Sequence, residues 1–316
     1  MPMVLAIDGG GTKTEAVLVD EGGQVFSRAR GQGCNPSLLD DAALEAHLRH
    51  LILPMLQSGF RPDAAFLGGA GCASAESENR MRGVLSGLLG EVPITVRGDG
   101  LNVLYSGTHG GAGVGIISGT GSLVVAMSPE GIELHAGGWG YLLGDEGSGF
   151  DLGRRAMALC LEKTDRGLSA GALGRAICRH FEANSLGECI APLYRAGRGA
   201  LPQLAPTVLD CAQAGDELAL QALEQSFGAL SQQALGLIRR MEAGRLPMVL
   251  GGGVWKHPLA RAVFARQLPR EMRGMLILPR CAPVYGAAIQ AVDLTGAVRR
   301  RNFFENFLKS EGAIHG

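Results

Sequence analysis

The sequence predicts an α/β protein built in two halves. Three observations carry that expectation. Apolar strand-like runs alternate with helical patterns in the order strand, strand, strand, helix, strand, helix, strand, which is the mark of a layered sheet and helix fold. The opening element, a strand, a glycine-rich turn and a second strand, returns near residue 114, so the pattern restarts. The chain has 316 residues, more than one hydrophobic core usually serves, and two domains are expected.

The elements follow in order. Residues 3–8 and 14–19 read as buried strands around the turn Gly9-Gly10-Gly11-Thr12-Lys13. Asp20-Glu21-Gly22-Gly23 is a hairpin signal, and residues 25–30 form a third strand. Leu44, Leu48, Leu51, Ile52 and Met55 recur at helical spacing over 40–58, with Asp40 or Asp41 as the cap. A short apolar strand occupies 64–69, a loop 71–75, and a helix 76–89 with Met81, Val84, Leu85 and Leu88 on one face. Residues 93–96 form a strand that ends in Arg97-Gly98-Asp99-Gly100.

Residues 102–128 carry no Asp, Glu, Lys or Arg. Their many glycines among Ser, Thr and Asn point to turns between buried strands rather than to a membrane span. Strands at 114–118 and 123–127 flank Gly119-Thr120-Gly121. Residues 151–242 are mostly helical. A strand at 247–250 leads into Gly251-Gly252-Gly253, another lies at 276–279, and a helix begins at Pro283. The boundary between the halves falls near residues 108–113. Arg299-Arg300-Arg301 is expected on a solvated helix face.

Composition narrows the function classes. Hydrophobic residues are 46% and charged residues 19% of the chain, the balance of a soluble globular protein. A net charge of −1 without a long basic run leaves no electrostatic footprint for nucleic acid. No basic segment followed by an apolar one opens the chain, so no signal peptide is expected. The seven cysteines are scattered and form no CxxC pair, which signals neither zinc nor a disulfide framework. The histidines are dispersed.

The chemistry-bearing residues cluster at the glycine turns. Gly9, Gly10 and Gly11 have no Cβ to keep a ligand from the backbone, and successive N–H groups in such a turn make a nest for phosphate. Asp8, at the strand end, is placed for a hydrated Mg²⁺ beside that phosphate. A glycine hairpin without a ligand is the plain alternative. Neither the G-x-x-x-x-G-K-[ST] phosphate loop nor a helix-opening G-x-G-x-x-G occurs here, so a nicotinamide cofactor is disfavoured. Asp99, just past a strand end, can accept a proton from a hydroxyl; the plain alternative is a turn or helix-cap residue. From Gly137 to Gly149, six glycines surround Trp139, Asp145 and Glu146, a mixture suited to a polyol with one apolar face. Asn35, before Pro36, can donate and accept toward sugar hydroxyls or sit in a pre-proline turn.

Taken in order, Asp8-Gly9-Gly10-Gly11-Thr12-Lys13-Thr14, Arg97-Gly98-Asp99, Ile117-Ser118-Gly119-Thr120-Gly121-Ser122, Gly138-Trp139-Gly140, Gly144-Asp145-Glu146-Gly147-Ser148, Gly251-Gly252-Gly253 and Pro283 with Gly286 carry a resemblance. They resemble the N-acetylglucosamine kinase branch of the BadF/BadG/BcrA/BcrD ATPase family, within the superfold shared by sugar kinases, Hsp70 and actin. The resemblance implies two ribonuclease-H-like lobes, the actin-like ATPase fold, with an interlobe nucleotide and substrate cleft. The N-terminal lobe would span 1–112 and the C-terminal lobe 113–316, the last helix packing back on the first lobe.

The same resemblance implies an ATP-dependent amino-sugar kinase acting on the 6-hydroxyl of N-acetylglucosamine. Gly9, Gly10, Gly11, Thr12, Lys13 and Thr14 would form a first phosphate loop. Gly119, Thr120 and Gly121 would form the second, and Gly251, Gly252 and Gly253 the adenosine loop. Asp8 would position Mg²⁺ through water and Asp99 would be the base. Asn35, Ser122, Gly138, Trp139 and Asp145 would line the sugar pocket. A cytoplasmic homodimer without nucleic-acid or membrane partners is expected. The loop Gly69-Ala70-Gly71-Cys72-Ala73 lacks the serine expected of animal members, which keeps glucosamine or another sugar as the alternative substrate. A nucleotide-driven switch acting on a protein partner is the alternative of another class. The scattered cysteines resemble neither the iron–sulfur activators of the family nor the zinc motif of the neighbouring ROK group.

Overall fold

The computed structural model describes residues 1–57, 59–242 and 244–312, so the end of the 40–58 helical pattern and His315 lie outside the described residues. The chain divides into two compact units, one of Met1–Gly111 with Leu278 onward, the other of Ala112–Ile277. The C-terminal stretch from Leu278 falls in the first unit; the sequence division counted it in the second lobe, with the last helix packing back on the first.

The chain runs β1 (Met3–Gly9), β2 (Lys13–Asp20), β3 (Val25–Gln32), α1 (Asp41–Leu56), β4 (Ala64–Gly69), α2 (Ala75–Leu89), β5 (Ile94–Gly98) and α3 (Gly100–Thr108). Then come β6 (Gly113–Ser118), β7 (Ser122–Met127), β8 (Glu133–Gly137), α4 (Gly149–Asp165), α5 (Gly171–His180), α6 (Leu186–Ala196), α7 (Ala200–Gln203), α8 (Ala205–Gln213) and α9 (Glu217–Arg240). β9 (Met248–Gly251), α10 (Pro258–Gln267), β10 (Leu276–Ile277), α11 (Pro283–Leu294) and α12 (Phe303–Gly312) complete it. No described helix is long and apolar enough to cross a membrane.

The two sheets share one plan. The first has the order β3-β2-β1-β4-β5, and the second, read from β8, has β8-β7-β6-β9-β10. In each, the first three strands are antiparallel, and the last two run parallel to the strand that opens the unit. This is the repeated ribonuclease-H-like topology of the actin-like ATPase fold, an α/β architecture.

The near-continuous apolar run of β1 follows from burial on both faces. Leu5 and Ile7 face a core with Leu44, Leu48 and Ile52 of α1 and Met81 and Leu85 of α2. Val4 and Ala6 face the opposite core with Tyr285, Ala288 and Ile289 of α11 and Phe303 and Phe307 of α12. Asp40 caps α1 by accepting the N–H of Ala43 at 2.8 Å, and Ser74 caps α2 with a reciprocal Ser77 bond. In the second unit, Val114, Ile116, Val124 and Ala126 join a core with α4 and α9, where Phe227 stacks on Trp255 at 5.3 Å.

Three expectations are corrected. Residues Gly100–Thr108 form a helix instead of turns; six of its nine residues are buried, so the segment needs no charged face. Arg299 and Arg300 lie in the non-helical link between α11 and α12. There Arg299 donates to the His109 carbonyl at 2.8 Å and Arg300 to Glu21 Oε1 at 2.8 Å, so the pair staples the C-terminal segment to its own unit. β8 is a strand that sequence reading missed.

Candidate active site

In the first unit the carboxyl ends of three parallel strands meet in register. Asp8, Gly68 and Arg97 form one row, and Gly9, Gly69 and Gly98 form the next. A row of glycines across three strands leaves backbone uncovered at the sheet end, where α/β proteins take ligands. The Gly9–Thr14 turn closes above it. Gly10 donates its N–H to the Lys13 carbonyl at 2.9 Å, and Gly11, Thr12 and Lys13 are exposed. Thr14 is buried and starts the return strand.

Two loops brace this end. Cys34 donates its N–H to the Gly10 carbonyl at 3.2 Å, and Ala70 donates to that of Gly9 at 2.7 Å. A Cβ on Gly9 would press the Cys34 sulfur and one on Gly69 the Cys72 sulfur, so both thiols fill the space the glycines leave. Burial raises these thiols to about 11 and about 12, which keeps them neutral. Asn35 holds its loop by accepting the N–H of Ser37 at 2.8 Å, and its side chain lies against Gly71.

Asp99 follows β5 and stands at the N-cap position of α3, yet its side chain makes no capping bond. Its carboxylate meets its own backbone N–H instead. Desolvation raises it from 3.8 to about 6. Asp8 is raised to about 7, chiefly by desolvation, with the nearby charges of Asp99 and Glu15 adding to the rise and the Asn102 hydrogen bond opposing it. Two carboxyls with displaced titration at one sheet end are a mark of functional sites.

In the second unit, Gly119-Thr120-Gly121 is tied to the start of α4. Gly149 donates its N–H to Gly119 at 2.8 Å and Phe150 to Thr120 at 3.3 Å. Ser118 Oγ donates to the Gly147 carbonyl at 2.6 Å. Gly252, at φ +103, packs so closely on the Ser118 carbonyl that no Cβ fits, so the turn of Gly251-Gly252-Gly253 lies against the turn at Gly119.

The Gly137–Gly147 segment is anchored to the same turn. Asp145, in the left-handed region at φ 64, accepts the N–H of Ser122 at 3.0 Å, and Ser122 Oγ donates to the Glu146 carbonyl at 2.7 Å. The Ser122 hydroxyl is therefore already engaged. Asp145 Oδ2 is buried and takes no hydrogen bond among the described residues. Burial raises the Asp145 carboxyl above its ordinary value, against the lowering influence of the Ser122 N–H and Arg198. Trp139 is 67% exposed, with Gly138 beside it at φ +73.

The structure thus groups Asp8, Gly9–Thr14, Asn35 and Asp99 in the first unit, and Gly119–Ser122, Gly138, Trp139, Asp145 and Gly251–Gly253 in the second. Sequence reading missed Asn102, which donates to Asp8 at 2.8 Å, and Gln233 of α9, which donates to Glu146 Oε2 at 2.9 Å. Among the described residues no group of three or more His, Cys, Asp or Glu stands ready to hold a metal unaided.

Comparison with known proteins follows the same residues. The sequence pattern of the BadF/BadG/BcrA/BcrD ATPase family matches residues 5–291. N-acetyl-D-glucosamine kinase of Dictyostelium discoideum is 27% identical over 310 residues, 92% of this chain and 97% of that protein. N-acetylmuramic acid/N-acetylglucosamine kinase of Clostridium acetobutylicum is 27% identical over 262 residues, 80% of this chain and 86% of that protein. Among solved structures, a candidate N-acetylglucosamine kinase from Chromobacterium violaceum superposes with a TM-score of 0.75 at 26% identity, covering 92% of this chain and 99% of the other.

Proposed function

This chain belongs to the BadF/BadG/BcrA/BcrD ATPase family, and from that membership we propose that it transfers the γ-phosphoryl group of ATP to the 6-hydroxyl of an amino-sugar, N-acetylglucosamine foremost. The observation that carries the reading is Asp99: a carboxylate at a strand end, released from capping and raised toward 6, beside a row of bare glycines. At neutral pH such a group is ionised and basic enough to take the proton of an attacking hydroxyl.

The other residues divide the remaining work. Gly10 and Gly119 spend their N–H groups on the Lys13 and Gly121 carbonyls; other backbone N–H groups of the Gly9–Thr14 and Gly119–Gly121 turns hold phosphate oxygens, and Gly251–Gly253 admit the adenosine. Asn35, Gly138, Trp139 and Asp145 bind and orient the sugar, with Ser122 fixing the Asp145–Glu146 segment. Asp145 Oδ2, buried without a donor among the described residues, suits a sugar hydroxyl. Orientation of the hydroxyl and exclusion of water direct transfer to sugar rather than solvent.

Mg²⁺ fits as a partner of the nucleotide. It keeps most of its waters and asks a protein for one or two carboxylates, and Asp8 offers one oxygen free of hydrogen bonds from the described residues. When bound, the ion neutralises charge on the transferred phosphoryl group. The reading includes a cytoplasmic homodimer, which rests on resemblance to the family.

A second substrate has a specific basis. The loop Gly69-Ala70-Gly71-Cys72-Ala73 offers no serine toward an acetamido group, which favours testing glucosamine beside the acetylated sugar. The test is ADP release by the purified chain with MgATP and N-acetylglucosamine, glucosamine or N-acetylmuramic acid. Stimulation by an amino-sugar is expected. Basal hydrolysis unchanged by every sugar would replace this reading with the nucleotide-driven switch.

A further inference from the structure

Asn102 is fully buried on α3, one turn after Asp99. A buried amide is costly unless its groups are bonded, and here both ends are. Its Nδ2 donates to Asp8 Oδ1 at 2.8 Å and to the Gly68 carbonyl at 3.2 Å. Its Oδ1 accepts Gln290 Nε2 at 3.1 Å. Gln290 is itself tethered, its Nε2 also donating to the Gly286 carbonyl at 3.3 Å. The donor from Gln290 can face only the amide oxygen, so the amide nitrogen must face Asp8. Four elements, β1, β4, α3 and α11, are thereby linked through one side chain.

The space around Asn102 is shaped for it. A Cβ at Gly68 would run into the Asn102 amide, and one at Gly286 into the Asn102 backbone carbonyl. Gly286 was singled out in the sequence without a role; its lack of a side chain lets α11 close on α3 and bring Gln290 within reach. An amide placed only to fill the core would not need its nitrogen aimed at a carboxylate beside a phosphate-type turn. A lone carboxylate turns freely about its last torsion, whereas one oxygen engaged by a fixed donor sets the direction of the other.

We propose that Asn102, held in orientation by Gln290, is a positioning residue for Asp8: it occupies Oδ1 and so presents Oδ2 to the water shell of a nucleotide-bound Mg²⁺. The proposal rests on the nucleotide-binding part of the reading above and not on which sugar is phosphorylated. It belongs with the outer partners that orient metal-facing carboxylates, whose loss typically weakens metal affinity by about 10–100-fold.

The test is calorimetric titration of the full chain with ADP, with and without Mg²⁺, for wild type, Asn102→Leu and Gln290→Leu. The readout is the ratio of the two affinities. Wild type is expected to bind ADP more tightly with Mg²⁺. Asn102→Leu is expected to reduce that ratio by about tenfold or more while metal-free ADP binds as in wild type. Gln290→Leu, which leaves Asn102 in place but removes the donor to its Oδ1, is expected to give a smaller reduction in the same ratio, and it serves as the test should Asn102→Leu fail to fold. Equal weakening of ADP with and without Mg²⁺ would assign Asn102 a purely structural role and overturn the proposal. So would an unchanged ratio, or a wild-type chain indifferent to Mg²⁺. Loss of the ratio in a protein that phosphorylates no amino-sugar would overturn the kinase reading and leave this one standing.

Discussion

Asp145 accepts the backbone N–H of Ser122 at 3.0 Å, which ties the glycine-rich Gly137–Gly147 segment to the glycine turn before β7. One carboxylate oxygen thus holds the loop while the other is buried and without a hydrogen bond among the described residues. Asp145→Asn keeps the backbone, since Asn tolerates the left-handed region, but removes the charge. It should raise the KM for the sugar by about 10- to 100-fold, the usual worth of a hydrogen bond to a charged group. The KM for MgATP should hold. Steady-state kinetics with each substrate varied in turn checks this, and a rise confined to MgATP would contradict it.

Asp99 should govern the acid limb of the pH profile. With its titration raised to about 6, kcat/KM for the sugar should fall as pH drops through that value. Asp99→Ala should lower kcat by about 10²–10⁴-fold. A variant releasing ADP at the wild-type rate with sugar would remove Asp99 from the mechanism.

The same residue should make activity and stability trade against each other. A carboxyl raised in the folded state gives its full stability below the unfolded value of 3.8, and that contribution is lost as pH rises through about 6. Asp99→Asn should therefore gain on wild type across this window and exceed it by about 1–3 kcal/mol at pH 8, the lower part of the range reflecting partial solvent exposure. Urea unfolding at pH 4.5 and pH 8 measures it. An equal difference at both pH values would contradict the assignment.

Two neighbouring glycines should behave differently. Gly252 has φ +103 and packs on the Ser118 carbonyl, whereas a Cβ on Gly253 meets open space. Gly252→Ala should cost about 1–3 kcal/mol through backbone strain and raise the KM for MgATP. Gly253→Ala should stay within about 0.5 kcal/mol of wild type. Thermal melts of both variants distinguish the cases.

Much of this arrangement was legible in the sequence because it depends on short-range signals. Apolar runs broken by Gly9–Gly11, Gly119–Gly121 and Gly251–Gly253 announced strands and tight turns, and Asp99 showed itself by following a strand. Asn102 did not, because α3 is buried on most sides and carries no polar face to reveal its period. Gln233 was hidden for the opposite reason: on the amphipathic α9 a glutamine reads as part of a solvated face. β8, Glu133–Gly137, mixes charge, His and Gly at a sheet edge, where little apolar patterning is required. The Arg299–Arg301 run suggested a helix from composition, but Arg299 and Arg300 find a carbonyl and a carboxylate far away in sequence. Such pairings are set by tertiary structure alone.

The central claim is that phosphate moves from ATP to the 6-hydroxyl of an amino-sugar. Phosphorus–proton correlation NMR of a reaction containing the chain, MgATP and N-acetylglucosamine or glucosamine tests it most directly. The account predicts a phosphomonoester coupled to the two C6 protons, formed in step with ADP. Inorganic phosphate as the sole new phosphorus signal, with the sugar unmodified, would contradict it.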